Sequence, residues 1–232
     1  MSDYISAGSV ADYQEFLTSG TWTKPEGVSF VYVEAVGGGG GGGNHPGASS
    51  KAGGSGGEGV SRLFLAADVS SSESIVIGAG GLGTANGAES TASDGGSTSM
   101  GSLITASGGY GGNQITPTPA GAVKKGISKS AFDMLAVYFP HSGYGGAGDA
   151  VEDVRRGGAT TYGGGGGGGA NSSYSSDTPG GVSKFAGNGG SGSYTSGVKG
   201  GDGQTPGGGG GGSINNGGGG DGAPGRVRVW SW

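Results

Sequence analysis

The residue types that do chemistry are few in this chain of 232 residues, and none stands at a working spacing. Cysteine is absent, so neither a thiolate metal site nor a disulfide staple can form. Gly78-Ala-Gly-Gly-Leu-Gly83 has the G-x-G-x-x-G spacing of a dinucleotide loop and follows a strand-like stretch. Such a loop needs a helix opening at its third glycine, so that the helix N-terminus meets the pyrophosphate. The next residues, Thr84-Ala-Asn-Gly-Ala-Glu-Ser, have no apolar periodicity, and in a glycine-rich chain the match is expected by chance. His45 and His141 each adjoin a proline, with no carboxylate at ligand spacing. Asp149, Glu152 and Asp153 lie beside Arg155 and Arg156, which reads as a solvated turn with local ion pairs and not as a general acid–base pair. No Gly-Lys-Ser/Thr phosphate loop and no G-G-x-G-x-D calcium repeat is present. Asn171-Ser-Ser matches a glycosylation pattern that matters only in a secreted chain, and Arg155-Arg-Gly-Gly occurs once. The expectation is a protein that is not an enzyme and takes no cofactor and no metal.

Charge and hydropathy narrow the class further. The formal net charge is -5, which argues against a nucleic-acid partner held through phosphates. The start, Met1-Ser-Asp-Tyr, lacks the basic region and apolar stretch of a secretory signal. The longest apolar run, around Met134 to Phe139, is far too short to span a bilayer, so no membrane insertion is expected.

The elements that would position any site are dominated by glycine, 65 residues of it, against a usual share of about 7%. Unbroken runs stand at 37–43, 163–169, 207–212 and 217–220, and between them glycine often recurs every third residue, as at Gly53, Gly56 and Gly59. Composition alone fits a flexible linker. The runs, however, alternate with strand-like segments, and the chain closes on Arg226-Val-Arg-Val-Trp-Ser-Trp232. A three-residue period suits a polyproline II type chain, which makes no hydrogen bonds within itself and must satisfy its backbone through neighbours or water. Glycine lets such chains approach closely enough to bond to one another. Fixing each backbone costs roughly 1–2 kcal/mol, with glycine at the costly end, so sparse side chains cannot order this chain alone. The predicted fold is mainly β, with polyglycine II helices packed as a body, a small β-sandwich or sheet acting as clamp, and little α-helix.

Strands are predicted over 28–35, with Phe30 and Tyr32 on one face and Val31 and Val33 on the other, over 60–65, over 74–77, and as a pair within 97–106 broken at Gly101. Residues 9–17 suit either a short helix capped by Ser9 or an extended arm. The organisation that follows is an N-terminal arm over 1–15 and a glycine-rich domain over 16–232. An apolar insertion about 116–144 serves either as a packing cap or as a loop contacting a receptor or neighbouring subunit.

Three stretches carry a family resemblance. Phe16-Leu-Thr-Ser-Gly-Thr-Trp-Thr-Lys-Pro-Glu-Gly-Val, with Val31-Tyr-Val-Glu-Ala-Val and a glycine run after it, resembles the opening of the glycine-rich domain of bacteriophage tail fibre proteins. Ile75-Val-Ile-Gly-Ala-Gly-Gly-Leu-Gly and Gly95-Gly-Ser-Thr-Ser-Met-Gly-Ser-Leu-Ile are similar to its middle. Thr205-Pro followed by six glycines and Gly222-Ala-Pro-Gly-Arg-Val-Arg-Val-Trp-Ser-Trp are similar to its end. The insertion is longer and more apolar than that pattern leads one to expect. The resemblance implies a virion protein made in the bacterial cytoplasm, a tail fibre or tail-tip receptor-binding adhesin, or else a purely structural tail component. Its implied partners are other phage tail proteins, reached through the N-terminal arm, and a host surface polysaccharide or outer-membrane protein. It also implies either a homo-oligomer, namely a trimer, or a monomer capping a trimeric fibre. Aromatic residues near glycine tracts would carry receptor contact: Tyr110, Tyr144, Tyr162, Tyr174, Phe185 and Tyr194, with Phe132, Tyr138 and Phe139 from the insertion. The alternative is that these rings cover the edges of the glycine body.

Overall fold

The computed structural model describes residues 11–44, 50–87, 92–112, 156–171 and 176–232. The insertion about 116–144 lies outside them. Of the two readings of residues 9–17, the extended one holds where the chain is described: β1 (Asp12–Phe16) pairs antiparallel with the C-terminal strand β10 (Arg226–Ser231). Beyond β10 lie β3 (Phe30–Val36) and β5 (Gly59–Leu65), completing a sheet ordered β1-β10-β3-β5. A second antiparallel sheet runs β2 (Gly20–Thr23), β6 (Ser72–Val76), β7 (Thr98–Met100) and β8 (Ile104–Ala106). The pair β7–β8 turns at Gly101, where φ is +50° and the missing Cβ leaves room for the Glu73 carboxylate. The fold is mainly β, as the alternating patterns predicted.

The two sheets face each other over Trp22, Val31, Val33, Phe64, Ile75, Met100, Val227 and Val229. In β3 alternation decides which side goes in: Val31 and Val33 are fully buried, while Phe30, Tyr32 and Glu34 take the other face. This core is small, and most of the chain lies beyond it.

At one end of the sandwich the strands run straight into glycine-rich tracts. β3 continues into 37–43, β6 into 78–84 and β8 into 107–112, while 52–58, 92–97 and 218–225 lead back into β5, β7 and β10. Hydrogen bonding along 37–43 has a period of three residues. The N–H groups of Gly37, Gly40 and Gly43 donate to Glu58, Ser55 and Ala52; those of Gly38 and Gly41 to Gly96 and Ser93; those of Gly39 and Gly42 to Ala223 and Gly220. The carbonyls follow the same rotation, Gly38 and Gly41 accepting from Gly109 and Gly112, Gly39 and Gly42 from Gly81 and Thr84, and Gly40 and Gly43 from Gly210 and Ser213. One tract therefore touches six others, antiparallel to those it donates to and parallel to those it accepts from. Three residues per turn is the period of a polyproline II type chain, which has no internal bonds to offer.

The tract 207–213 is surrounded in the same way, by 37–43, 52–58, 163–169, 187–193, 199–204 and 218–225. In both, a Cβ at the interior glycines would fall on a neighbour's carbonyl. The runs of pure glycine therefore sit where a tract has neighbours on all sides. Peripheral tracts carry side chains at every third position, pointing outward: Ala79, Leu82 and Ala85 are exposed, as are Pro179, Val182 and Phe185, and Lys199, Asp202 and Thr205. Amides 164 to 168 within the glycine run, bonded to Gly57, Gly187, Gly158, Gly54 and Gly190, are expected to exchange slowly with deuterium. Exchange of this run at the rate of an open chain would sink the packed-tract account.

Candidate functional site

The direction of the tracts gives the molecule two poles. Tracts leaving the sandwich are parallel to 37–43 and those returning are antiparallel, so the described turns after 78–84, 187–193 and 207–213 lie at the end away from the sheets, and those at 161–163, 184–186 and 205–207 at the sandwich end. At this far pole the described residues form short turns. Asn86-Gly87 turns with φ of +72° at the glycine, and residues 194–198 turn with the Val198 N–H donating to Thr195 O at 3.2 Å. Residues 214–217 turn with φ of 44° at Asn215 and 67° at Asn216, a region that asparagine enters more readily than other side-chain-bearing residues. The Gly197 N–H and the Ser196 hydroxyl both donate to Asn215 O, at 3.0 and 3.3 Å, tying two of these turns together. β4 (Ser50–Lys51) and β9 (Ala170–Asn171) pair at the same end. Asn44, wholly buried where 37–43 ends, has neither amide atom hydrogen-bonded among the described residues.

Among the described residues, the chemistry exposed there is mostly uncharged, with the Asp177 carboxylate as the exception. Thr195, Ser196 and Asn216 offer hydroxyl and amide groups, beside Tyr194 at 37% exposure and Val198 at 47%. The Tyr194 N–H is held by the Asp177 carboxylate at 3.1 Å, which fixes the start of the turn. Such groups present matched donors and acceptors to a hydroxylated or peptide ligand.

The candidate contact residues separate between the poles. Tyr194 stands at the far pole. Tyr162 and Phe185 stack on each other at the sandwich pole, ring centroids 5.2 Å apart and 18° from parallel. They line a small pocket with Glu34, Val36, Val60 and Arg226. Arg226 donates to Phe185 O at 3.1 Å and lies 3.5 Å from the Glu15 carboxylate. Burial, and next the charge of Arg228, press the Arg226 pKa down. Tyr110 is half-buried within 107–112: its N–H donates to Ser55 Oγ at 2.6 Å, and its carbonyl accepts from the Ser55 N–H at 2.9 Å. Tyr144, Tyr174, Phe132, Tyr138 and Phe139 lie outside the described residues. The polar turn residues of the far pole were not singled out from the sequence, although Asn-Gly and Asn-Asn-Gly between tracts are turn signals.

Acidic side chains have a second task at the rim of the glycine body. Carboxylates accept backbone N–H groups at its edge: Asp221 from Gly83 at 2.8 Å, Asp202 from Asp221 at 2.7 Å, and Asp94 from Gly111 at 2.8 Å. Lys199 joins Asp202 and Asp221 at 2.9 and 3.0 Å. Burial pushes the Asp202 carboxyl up, but the Lys199 ammonium and the Asp221 N–H outweigh it and hold the group below its ordinary range. The Asp202 hydrogen bond raises Lys199 in turn. A depressed carboxyl stabilises above its unfolded pKa and loses that contribution as pH falls through the folded value. Asp202→Asn is therefore expected to lower the melting temperature at neutral pH, with the difference from the parent chain closing as pH drops below the ordinary carboxylate range. A difference that stays constant with pH would show that the charge is irrelevant.

Two packed sheets continuing into a bonded glycine body, with turns gathered at the opposite pole, define a class of glycine-rich scaffold. The family model of the glycine-rich domain matches residues 15–231, and the chain belongs to that family. No curated protein matches it.

Proposed function

We propose that this chain is a phage tail fibre or tail-tip protein whose far pole recognises a host cell-surface receptor during adsorption. The observation that carries the reading is the polarity of the molecule. One pole is a sandwich holding both β1 and β10, and the other gathers the described turns 86–87, 194–198 and 214–217. Loops on a rigid scaffold are where binding function concentrates. The motifs resembling tail fibre proteins, from Phe16 to Trp232, support placing it in a virion tail, with other tail proteins as partners. On this reading the protein binds and does not catalyse, and it takes no cofactor. The hydroxyl and amide groups of Thr195, Ser196 and Asn216 support a hydroxylated ligand such as a surface polysaccharide. The residue expected to contribute directly is Tyr194, with Tyr144, Tyr174, Phe132, Tyr138 and Phe139 as the sequence candidates in the intervening stretches.

The test is binding of the purified chain to susceptible cells, together with competition against phage adsorption. Saturable binding that blocks adsorption is the expected result. A chain that neither binds nor blocks is a structural component only, and the receptor reading falls. Tyr194→Ala is expected to weaken cell binding roughly tenfold, the scale of one aromatic contact, while leaving the melting temperature within about 2 °C.

A further inference from the structure

The outer faces of the two sheets differ in kind. On the sheet β2-β6-β7-β8 the outward positions are Thr21, Thr23, Ser72, Ser74, Val76, Ser99 and Thr105, nearly all hydroxylated. On β1-β10-β3-β5 the register sets Tyr13, Trp230, Tyr32 and Leu63 in one row across the strands, with Trp232, Phe30 and Leu65 in the next. Tyr13 and Tyr32 both lean on Trp230, at 5.1 and 5.5 Å between centroids, and Phe30 stacks on Trp232 at 5.9 Å. Tyr13, Leu65 and Trp232 remain 48%, 45% and 37% exposed. Contiguous apolar patches of this kind often mark interaction sites. Below these rows lies a third, Glu15, Arg228, Glu34 and Ser61, covered at its β5 end, where Ser61 is buried and lines the pocket with Glu34, Tyr162 and Phe185, while Glu15 is exposed and Arg228 and Glu34 are part-exposed.

We infer that this aromatic face is a self-association surface, on which a second copy of the chain packs about a two-fold axis parallel to the strands and running between β10 and β3. The register selects this operator. Such an axis exchanges β10 with β3 and leaves each row opposite itself, so Arg228 meets the partner's Glu34 and Trp230 meets the partner's Tyr32, each twice. Arg228 already holds Glu15 at 2.9 Å, and its remaining guanidinium N–H groups can reach across, because one guanidinium has five donors. Glu34 accepts from the Tyr32 hydroxyl at 3.2 Å and has carboxylate lone pairs to spare. Aligned sheets cross at about 30°, so the pairs beside the axis, Arg228–Glu34 and Trp230–Tyr32, stay in register best. The hydroxylated outer face offers no such charge alternation. With the axis along the strands, both far poles point the same way.

Size sets the strength. Four strands at about 4.8 Å spacing and three rows of side chains, the last covered at its β5 end, span at most roughly 400 Å² of sheet per copy, well under the ~800 Å² per partner of a standard interface. The dimer is therefore a weak one, forming in the micromolar range or above. The inference does not depend on the receptor reading.

Sedimentation of the full chain from about 1 μM to about 500 μM is expected to show a monomer–dimer equilibrium. Trp230→Ser should weaken it at least roughly tenfold. Charge exchange is the sharper test. Glu34→Arg and Arg228→Glu each place like charges across the axis and should each abolish self-association, whereas an equimolar mixture should restore dimers, since opposite charges then meet at both positions. Because Glu34→Arg leaves the Glu15–Arg228 pair intact, its melting temperature reports whether loss of the dimer comes with loss of fold. A chain that is monomeric across the range, a trimer, a dimer indifferent to Trp230→Ser and Glu34→Arg, or a mixture that fails to re-form dimers overturns the proposal.

Discussion

Replacing Gly40 by alanine is expected to cost more than the roughly 1–3 kcal/mol typical of overpacking, and to lower the melting temperature by roughly 10 °C or more. The added Cβ would fall on the Tyr110 carbonyl oxygen and carbon and on the Gly111 nitrogen, all of them backbone. No rotamer change relieves such a clash. The Gly40 N–H and carbonyl are held by Ser55 and Gly210, so the tract cannot slide without giving up bonds to its other neighbours. Total stabilities of natural domains are about 5–15 kcal/mol, so one methyl group at this site removes a large share. Gly20→Ala is the control: an alanine there meets nothing within 4 Å. Its effect should stay within about 0.5 kcal/mol, the range of unobtrusive surface changes. Equal melting temperatures for the two variants would overturn the account of why the long runs are glycine.

Trp22→Ala is expected to destabilise by about 3–5 kcal/mol. Trp22 is fully buried between the sheets and packs in the same cluster as Val31, Ile75, Met100 and Val229. The sandwich fixes where six tracts enter the glycine body, so its loss is expected to melt both parts in a single transition. Calorimetry would show this as one peak, and a surviving second peak would mean that the glycine body holds itself together. The indole is buried with no acceptor for its Nε1–H. Trp22→Phe therefore gives up volume but no hydrogen bond, and should cost under about 2 kcal/mol.

The strands β3, β5, β6 and the pair β7–β8 were legible in the sequence because burial on one face writes itself as alternation. Phe30 to Val36 shows this, and so does the pair β7–β8 about Gly101, the residue able to take φ of +50°. The three-residue spacing of glycine was legible too, since outward side chains recur with that period along 78–85 and 179–185. The partners of each tract were not legible. A glycine carries no side chain to mark its neighbour, so nothing in the run 37–43 tells Ser55 from Gly210 as a bonding partner. The far pole stayed hidden for a related reason. Thr195, Ser196 and Asn216 are ordinary turn residues until the tract directions bring them together. Tyr162 and Phe185 resembled binding residues because each stands near a glycine tract, and only the fold shows that they stack on each other near Arg226.

The arrangement of strands and tracts also has a mechanical consequence. Asp12, paired with Ser231, lies at the end of the sheet farthest from the glycine body, so a pull on the chain ahead of it acts along β1 and away from the far pole. If the far pole is anchored, that tension runs parallel to every strand and every tract at once. The hydrogen bonds lie across it, as in any antiparallel ladder. They are loaded in shear, so many must break together and none can be peeled singly. A tether built this way resists sudden force far better than its small side-chain core suggests.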